Sequence, residues 1–205
     1  MATLNLQVAA STDDAKQLSD GSSDVTAVRY RLSGSGTPGE HLGLRFAGVG
    51  EAGAGIPQGA TITSALLALK FDNQAQDNIN GPVSGEKATN SSTFTTTAND
   101  LSDRTKTTAS VTWNEQDIAA AGVPAFYDSP ELITVLQELV DQVGWDESSP
   151  VTIFVERPAG GGGDFGVLTF DNDPGDAAKL TVEYTAAGGG ERDRRKLNLL
   201  GLVAS

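Results

Sequence analysis

The chain has 205 residues, enough for one domain with a substantial buried core, and 38% of them are hydrophobic, as in ordinary globular proteins. Its 27 acidic and 14 basic residues give a net charge of −13 at pH 7, which disfavours binding to nucleic acid phosphates. The absence of cysteine excludes disulfides, a thiolate nucleophile and a cysteine-ligated metal site.

The sequence predicts neither a signal peptide nor a membrane span. The opening residues, MATLNLQVAA, contain no basic cluster and no long apolar run. No segment approaches the ~20 apolar residues that a membrane helix needs. We therefore expect a protein that stays where it is made or leaves by assembly, lysis or a leaderless route. The simpler alternative is that a leader peptide has been removed from the sequence.

Alternating apolar residues predict β-strands through the first half of the chain. Residues 3–10 and 25–32 each place apolar side chains on one face. Residues 41–46 alternate in the same way, and a Gly-rich bend with a Pro-Gly turn leads to a longer apolar strand at 61–71. The threonine-rich stretch 89–112 fits either strand fragments or an ordered loop, because β-branched threonine favours extended backbone.

One helix is predicted, at about residues 129–143. Ser129 is a favoured N-cap, Pro130 suits the first helical position, and Glu131 complements the positive end of the helix dipole. Apolar residues follow at helical spacing, and Gly144 is a suitable residue to end the helix.

Three further strands are predicted at residues 150–156, 165–171 and 179–184, and the composition then changes. Residues 186–190 form a glycine-rich linker, and residues 191–205 combine a basic patch with four leucines and a valine. About eight to ten short strands, one helix and many Gly, Pro and Thr turns predict an all-β fold. We expect a jelly-roll β-sandwich over residues 1–185, followed by a C-terminal arm.

The run LRF…IPQGATITSALLALKF resembles the start of DNRLRE-type β-sandwich modules, which are related to carbohydrate-binding modules and disaggregatase-related repeats. The stretch ending in TTASVTWN, the helix LITVLQELVDQVGW and the strand KLTVEY are similar to later parts of that family. The resemblance covers about residues 3–184. It implies a jelly-roll module with a binding or structural role, as in secreted surface proteins and phage structural proteins. It identifies no ligand residues.

No catalytic motif is present in the sequence. The single histidine, His41, lies near a strand end, and neither a G-x-S-x-G nor an H-E-x-x-H pattern occurs. We expect His41 to be a surface or strand-end residue and the protein not to be an enzyme. A pair of carboxylates in a polysaccharide hydrolase remains an open alternative, because acidic residues are abundant and only their separation would reveal such a site.

One acidic turn is a candidate calcium site. The segment DNDPGD at 171–176 concentrates oxygen ligands, of which Ca²⁺ takes six to eight. The candidate ligands are Asp171, Asp173 and Asp176. The EF-hand pattern fails, since Val182 stands where a bidentate glutamate is needed, so an ordinary turn between strands is the alternative. Asp13 and Asp14 form a weaker second candidate. No other cofactor is expected.

Carbohydrate binding requires exposed aromatic residues, because sugars stack on exposed rings. Phe126, Tyr127 and Phe165 stand in loop-like contexts and could be exposed. The remaining aromatics, among them Trp113 and Trp145, fall at positions typical of a core.

The arm contains the candidate partner-binding residues, which are Arg192, Arg194, Arg195, Leu197, Leu199, Leu200 and Leu202. A disordered terminus is the alternative.

We expect a virion structural protein, such as a capsid decoration or a tail or fibre component, that forms a homo-oligomer within a larger assembly. The runner-up is a carbohydrate- or cell-surface-binding module of an exported bacterial protein, located outside the cell. Neither nucleic acid nor membrane is an expected partner.

Overall fold

The computed structural model describes residues 1–33, 39–47, 55–72, 79–114, 125–159 and 164–187. Twelve strands and one α-helix occur in these residues, in the order β1 (Ala2–Gln7), β2 (Asp14–Gln17), β3 (Ser23–Asp24), β4 (Arg29–Ser33), β5 (Glu40–Phe46), β6 (Thr61–Phe71), β7 (Gly81–Glu86), β8 (Lys106–Trp113), β9 (Ala125–Asp128), α1 (Ile133–Val140), β10 (Val151–Arg157), β11 (Asp164–Leu168) and β12 (Lys179–Thr185). Two short 3₁₀ turns, Ser11–Asp13 and Pro174–Asp176, precede β2 and β12.

The strands form two antiparallel sheets. The first sheet has the order β1-β12-β6-β11-β4, with β9 also paired to β6, and the second has the order β3-β2-β5-β10-β7-β8. Partners are nested along the chain: β4 pairs with β11 in one sheet, and β5 pairs with β10 in the other. This nesting winds the chain as a jelly roll, so the predicted all-β sandwich with one helix is confirmed.

The main core lies between the two sheets. Alternate residues of β5 and β6 point inwards, because successive strand residues face opposite sides of a sheet. Phe71 packs edge-on against Trp113 and Phe165, with ring centroids 6.4 and 6.0 Å apart. The helix adds its own apolar face to this core through Val135, Leu136, Leu139 and Val140. Both tryptophans are buried, as the sequence predicts.

The helix starts later than its sequence predicts, at Ile133, and no side chain caps its first turn. The residues expected to cap the helix accept hydrogen bonds from the backbone of β6 instead. Ser129 Oγ accepts a hydrogen bond from Leu67 N at 3.1 Å, and Glu131 Oε2 accepts one from Ala65 N at 2.7 Å. These contacts satisfy backbone groups of β6 where β9 does not reach, so the need of the strand overrides the local capping signal.

The helix also ends earlier than predicted, at Val140. Gly144 takes a left-handed φ of +91° in the turn that follows, rather than at the helix end itself. Trp145 folds back and donates from Nε1 to Ile56 O at 2.9 Å.

The threonine-rich segment is an ordered loop from residue 88 to 105, and β8 begins only at Lys106. It lies across the outer face of the second sheet, where a separate small core forms. The members of that core are Ala15, Val25, Phe94, Leu101 and Phe154. Arg104 holds the loop by donating to Glu86 Oε2 at 3.0 Å and to the carbonyls of residues 92 and 93.

Candidate functional site

Two acidic stretches that are far apart in the sequence meet at one end of the sandwich. The first is the turn that leads into β2, and the second is the loop between β11 and β12. Ser11 Oγ donates to Asp171 Oδ1 at 2.6 Å, and Asp14 Oδ2 accepts from Phe170 N at 2.9 Å. We call Asp13, Asp14 and Asp171 the acidic junction. It joins the second sheet, which contains β2, to a loop of the first.

Asp14 is the most buried member of the junction, with 1% of its surface exposed. Burial is the main cause that raises the pKa of Asp14 to about 7. The negative charges of Asp171 and Asp13 act in the same direction, while the Phe170 N–H opposes them. Burial and then the charge of Asp14 also raise the pKa of Tyr30, whose hydroxyl lies 3.4 Å from Asp14 O.

The negative charge of Asp13 is balanced by an ion pair with Arg45. Arg45 Nη1 donates to Asp13 Oδ1 at 2.6 Å, and Arg45 Nε donates to Ser91 O at 2.9 Å. Both side chains of this ion pair are largely buried, so each charge depends on the other. The pair also fastens the loop at residue 91 to β5.

The three aspartates proposed as calcium ligands have different hydrogen-bond partners. Asp171 belongs to the acidic junction. Asp173 Oδ1 accepts from Gly175 N at 2.7 Å, and Asp176 pairs with Lys70 and accepts from Asn172 Nδ2 at 2.6 Å. Among the described residues, no three acidic or histidine side chains gather as a set of metal ligands. Calcium at Asp171, Asp173 and Asp176 therefore gains no support from the geometry.

His41 lies inside β5, where its imidazole is mostly buried. Its Nδ1 is 3.7 Å from Glu156 Oε1, and Lys106 pairs with the same carboxylate. The adjacent His41, followed by Lys106, lowers the pKa of Glu156 to about 2. No serine or threonine hydroxyl is bonded to this imidazole among the described residues, so the cluster does not resemble a nucleophilic triad.

The aromatic side chains are all buried or half-buried. Phe165 is fully buried in β11, contrary to the exposure suggested by its loop-like sequence. Phe126 and Tyr127 lie in β9 and are half-buried. Lys179 Nζ stands 4.2 Å from the centre of the Phe126 ring and covers it. The two Trp, three Tyr and seven Phe all lie in described residues, and each is buried or half-buried.

One polar cavity opens beside the turn after α1. Its volume is about 270 Å³, and it is lined by Thr89, Asn90, Gly144, Asp146, Ser148, Ser149 and Pro150. The Asp146 side chain already accepts from Ser148 N and Ser148 Oγ, at 2.7 and 2.6 Å. No aromatic residue lines the cavity, so it lacks the stacking surface that usually orients a sugar.

The proposed partner-binding residues lie outside the described part of the chain. They are Arg192, Arg194, Arg195, Leu197, Leu199, Leu200 and Leu202. Within the described part, no helix is long and apolar enough to cross a bilayer. No protein-family model matches the sequence, and a search of curated proteins also finds no match.

Proposed function

We propose that the protein is a non-enzymatic structural protein of a phage virion, a capsid decoration or a tail or fibre component, that assembles through its sandwich surface and its C-terminal arm. One observation carries the proposal. The buried core of the sandwich is completed by residues up to Tyr184, and a basic, leucine-rich segment follows that acidic body. A segment of opposite charge is therefore available in addition to the residues that fold the body.

Charge and apolar area would act together in such an arm. The arm carries four basic residues against two acidic ones, whereas the whole chain has a net charge of −13. Opposite charges raise the rate of encounter between copies, and leucines add the hydrophobic area that holds the complex. An arm on every subunit multiplies weak contacts into a stable assembly.

The resemblance to DNRLRE-type modules supports a virion location, since related stand-alone modules occur among phage structural proteins. The fold agrees with that resemblance in class, because both are jelly-roll sandwiches. Every aromatic side chain is buried or half-buried, which makes the sugar-binding alternative less favourable than the structural one.

Light scattering of the full chain and of a chain ending at residue 190 tests the arm. The full chain is expected to form an oligomer that weakens as salt is raised, and the shortened chain is expected to be monomeric. Exchanging Arg192, Arg194 and Arg195 for glutamate should weaken assembly while leaving the leucines in place. Exchanging Asp103, an acidic residue in the loop, for asparagine provides a surface-charge control. A full chain that stays monomeric at all concentrations would contradict the proposal.

Immunogold electron microscopy tests the location. Particles released by the strain that encodes the chain should be labelled at a fixed, repeated position. Label confined to cell envelopes or to secreted material, together with binding of the monomer on a glycan array, would support the carbohydrate-binding alternative and overturn the virion assignment.

A further inference from the structure

Two carboxylate oxygens of the acidic junction are buried with no hydrogen-bond donor. These atoms are Asp14 Oδ1 and Asp171 Oδ2, and no donor among the described residues reaches either of them. The other oxygen of each carboxylate is already used, by Phe170 N and by Ser11 Oγ. A buried carboxylate oxygen without a partner is costly, because water no longer solvates its charge. Asp171 follows directly after Phe170, whose N–H is bonded to Asp14, so the two carboxylates are neighbours.

The basic side chains near the junction are engaged elsewhere. Arg45 pairs with Asp13 at 2.6 Å. Lys16, the basic residue of β2, lies 3.4 Å from Glu40 and donates to a backbone carbonyl. Arg29 pairs with Asp72 at 2.8 Å. The described residues therefore supply no positive group for Asp14 Oδ1 or Asp171 Oδ2.

We propose that Asp14 and Asp171 together bind one divalent cation of the calcium type. Carboxylate oxygens are hard ligands, which Ca²⁺ and Mg²⁺ prefer, and Ca²⁺ accepts the irregular geometry of a loop and a strand end. Remaining coordination positions are filled by carbonyl oxygens or water. This site differs from an acidic turn within 171–176, since one ligand comes from β2 and the other from the loop between β11 and β12. The bound cation ties the start of β2 to the loop before β12 and stabilises the sandwich at that end.

Thermal unfolding of the full chain tests the site, with calcium chloride added after treatment with a chelator. At a calcium concentration a hundredfold above Kd, the Tm is expected to rise by roughly 5–10 °C. Terbium chloride should give luminescence when the protein is excited near 280 nm, because the Tyr30 ring lies beside Asp14. Calcium should displace the terbium and quench that emission.

Three variants locate the site. Asp14→Asn and Asp171→Asn should each lose the calcium-dependent rise in Tm and the terbium signal. Asp173→Asn is the matched control in the same loop. Its carboxylate caps Gly175 and should be dispensable for the cation, so this variant should keep both effects. If Asp14→Asn fails to fold, Asp171→Asn and the terbium signal of the unmodified chain still decide.

Two outcomes would overturn the proposal. One is a Tm of the unmodified chain that is unchanged by calcium and magnesium, combined with no terbium signal. In that case a proton shared between the two carboxylates satisfies the junction. The other is a calcium effect that persists in both Asp14→Asn and Asp171→Asn, which would place the cation elsewhere.

Discussion

The ring of Phe94 occupies the space beside Gly43 that any larger residue would need. A Cβ atom on Gly43 would lie 2.5 Å from Phe94 Cζ, well inside van der Waals contact. Gly43 belongs to β5, and Phe94 belongs to the loop that covers the outer face of the second sheet. The missing side chain in the strand therefore makes room for the aromatic anchor of the loop.

This relationship predicts that Gly43→Ala destabilises the protein by ~1–3 kcal/mol, through overpacking of the small outer core. Phe94→Ala should cost about 3–5 kcal/mol because it leaves a cavity. In the Phe94→Ala background, however, Gly43→Ala should cost little, since the obstacle is gone. Urea unfolding of the three variants measures the coupling. Additive effects would contradict the packing argument.

Glu131 is predicted to protect the edge of β6 rather than to start the helix. Glu131→Ala removes the acceptors of Ala65 N and Ser64 Oγ and should cost ~1 kcal/mol or more. Hydrogen exchange at the Ala65 amide should accelerate. Glu131→Gln keeps one side-chain oxygen and should lose less stability. Equal losses in both variants, with helix amides exchanging faster than Ala65, would favour a helix-capping role instead.

The lowered pKa of Glu156 predicts that the folded protein loses stability in acid. Its ordinary pKa of 4.5 falls to about 2 in the folded protein, so the folded state favours the ionised form. The resulting stabilisation is present above pH 4.5 and is lost as the pH falls through about 2. Glu156→Gln should therefore be less stable than the unmodified chain at pH 6, and the difference should shrink towards pH 2. Chemical unfolding across this pH range provides the measurement, and a difference independent of pH would contradict it.

Arg104 should be irreplaceable by lysine. Its guanidinium donates to Glu86, to Asp100 and to two loop carbonyls, and it lies 4.5 Å from the centre of the Phe94 ring. A lysine ammonium cannot make this planar set of contacts. We expect Arg104→Lys to cost about 2 kcal/mol and to raise hydrogen exchange in residues 92–103. Arg29→Lys, in a more exposed pair, should change exchange in that loop very little.

The sequence predicts the strands whose burial follows a simple alternation. The sequence pattern predicts β6 with its observed limits, because its apolar side chains supply one face of the main core. β2 was missed, since Asp14 and Gln17 are polar and yet buried. Gln17 Oε1 accepts from Leu101 N, 84 residues away, and Asp14 accepts from Phe170 N, 156 residues away. Partners at such distances leave no local signal.

The acidic junction could not be predicted from the sequence for the same reason. Both of its acidic stretches attract notice in the sequence, but each alone is more typical of a turn. Only the packing of the two sheets brings Asp14 and Asp171 together, because β2 lies in the second sheet and the loop before β12 joins two strands of the first. The helix start was wrong for a related reason: Ser129 and Glu131 match a local capping pattern, but the edge of β6 competes for their oxygens.

The pairing of β1 with β12 has a mechanical consequence. Ala2 lies opposite Tyr184 in this antiparallel pair, so both ends of the described chain leave the same corner of the first sheet. Tension applied between those ends loads the hydrogen bonds of the pair one after another, like a zipper, rather than all at once in shear. Pulling single molecules in an optical trap should peel β1 away at low force before the remaining sandwich yields. A single high-force rupture would rule this out.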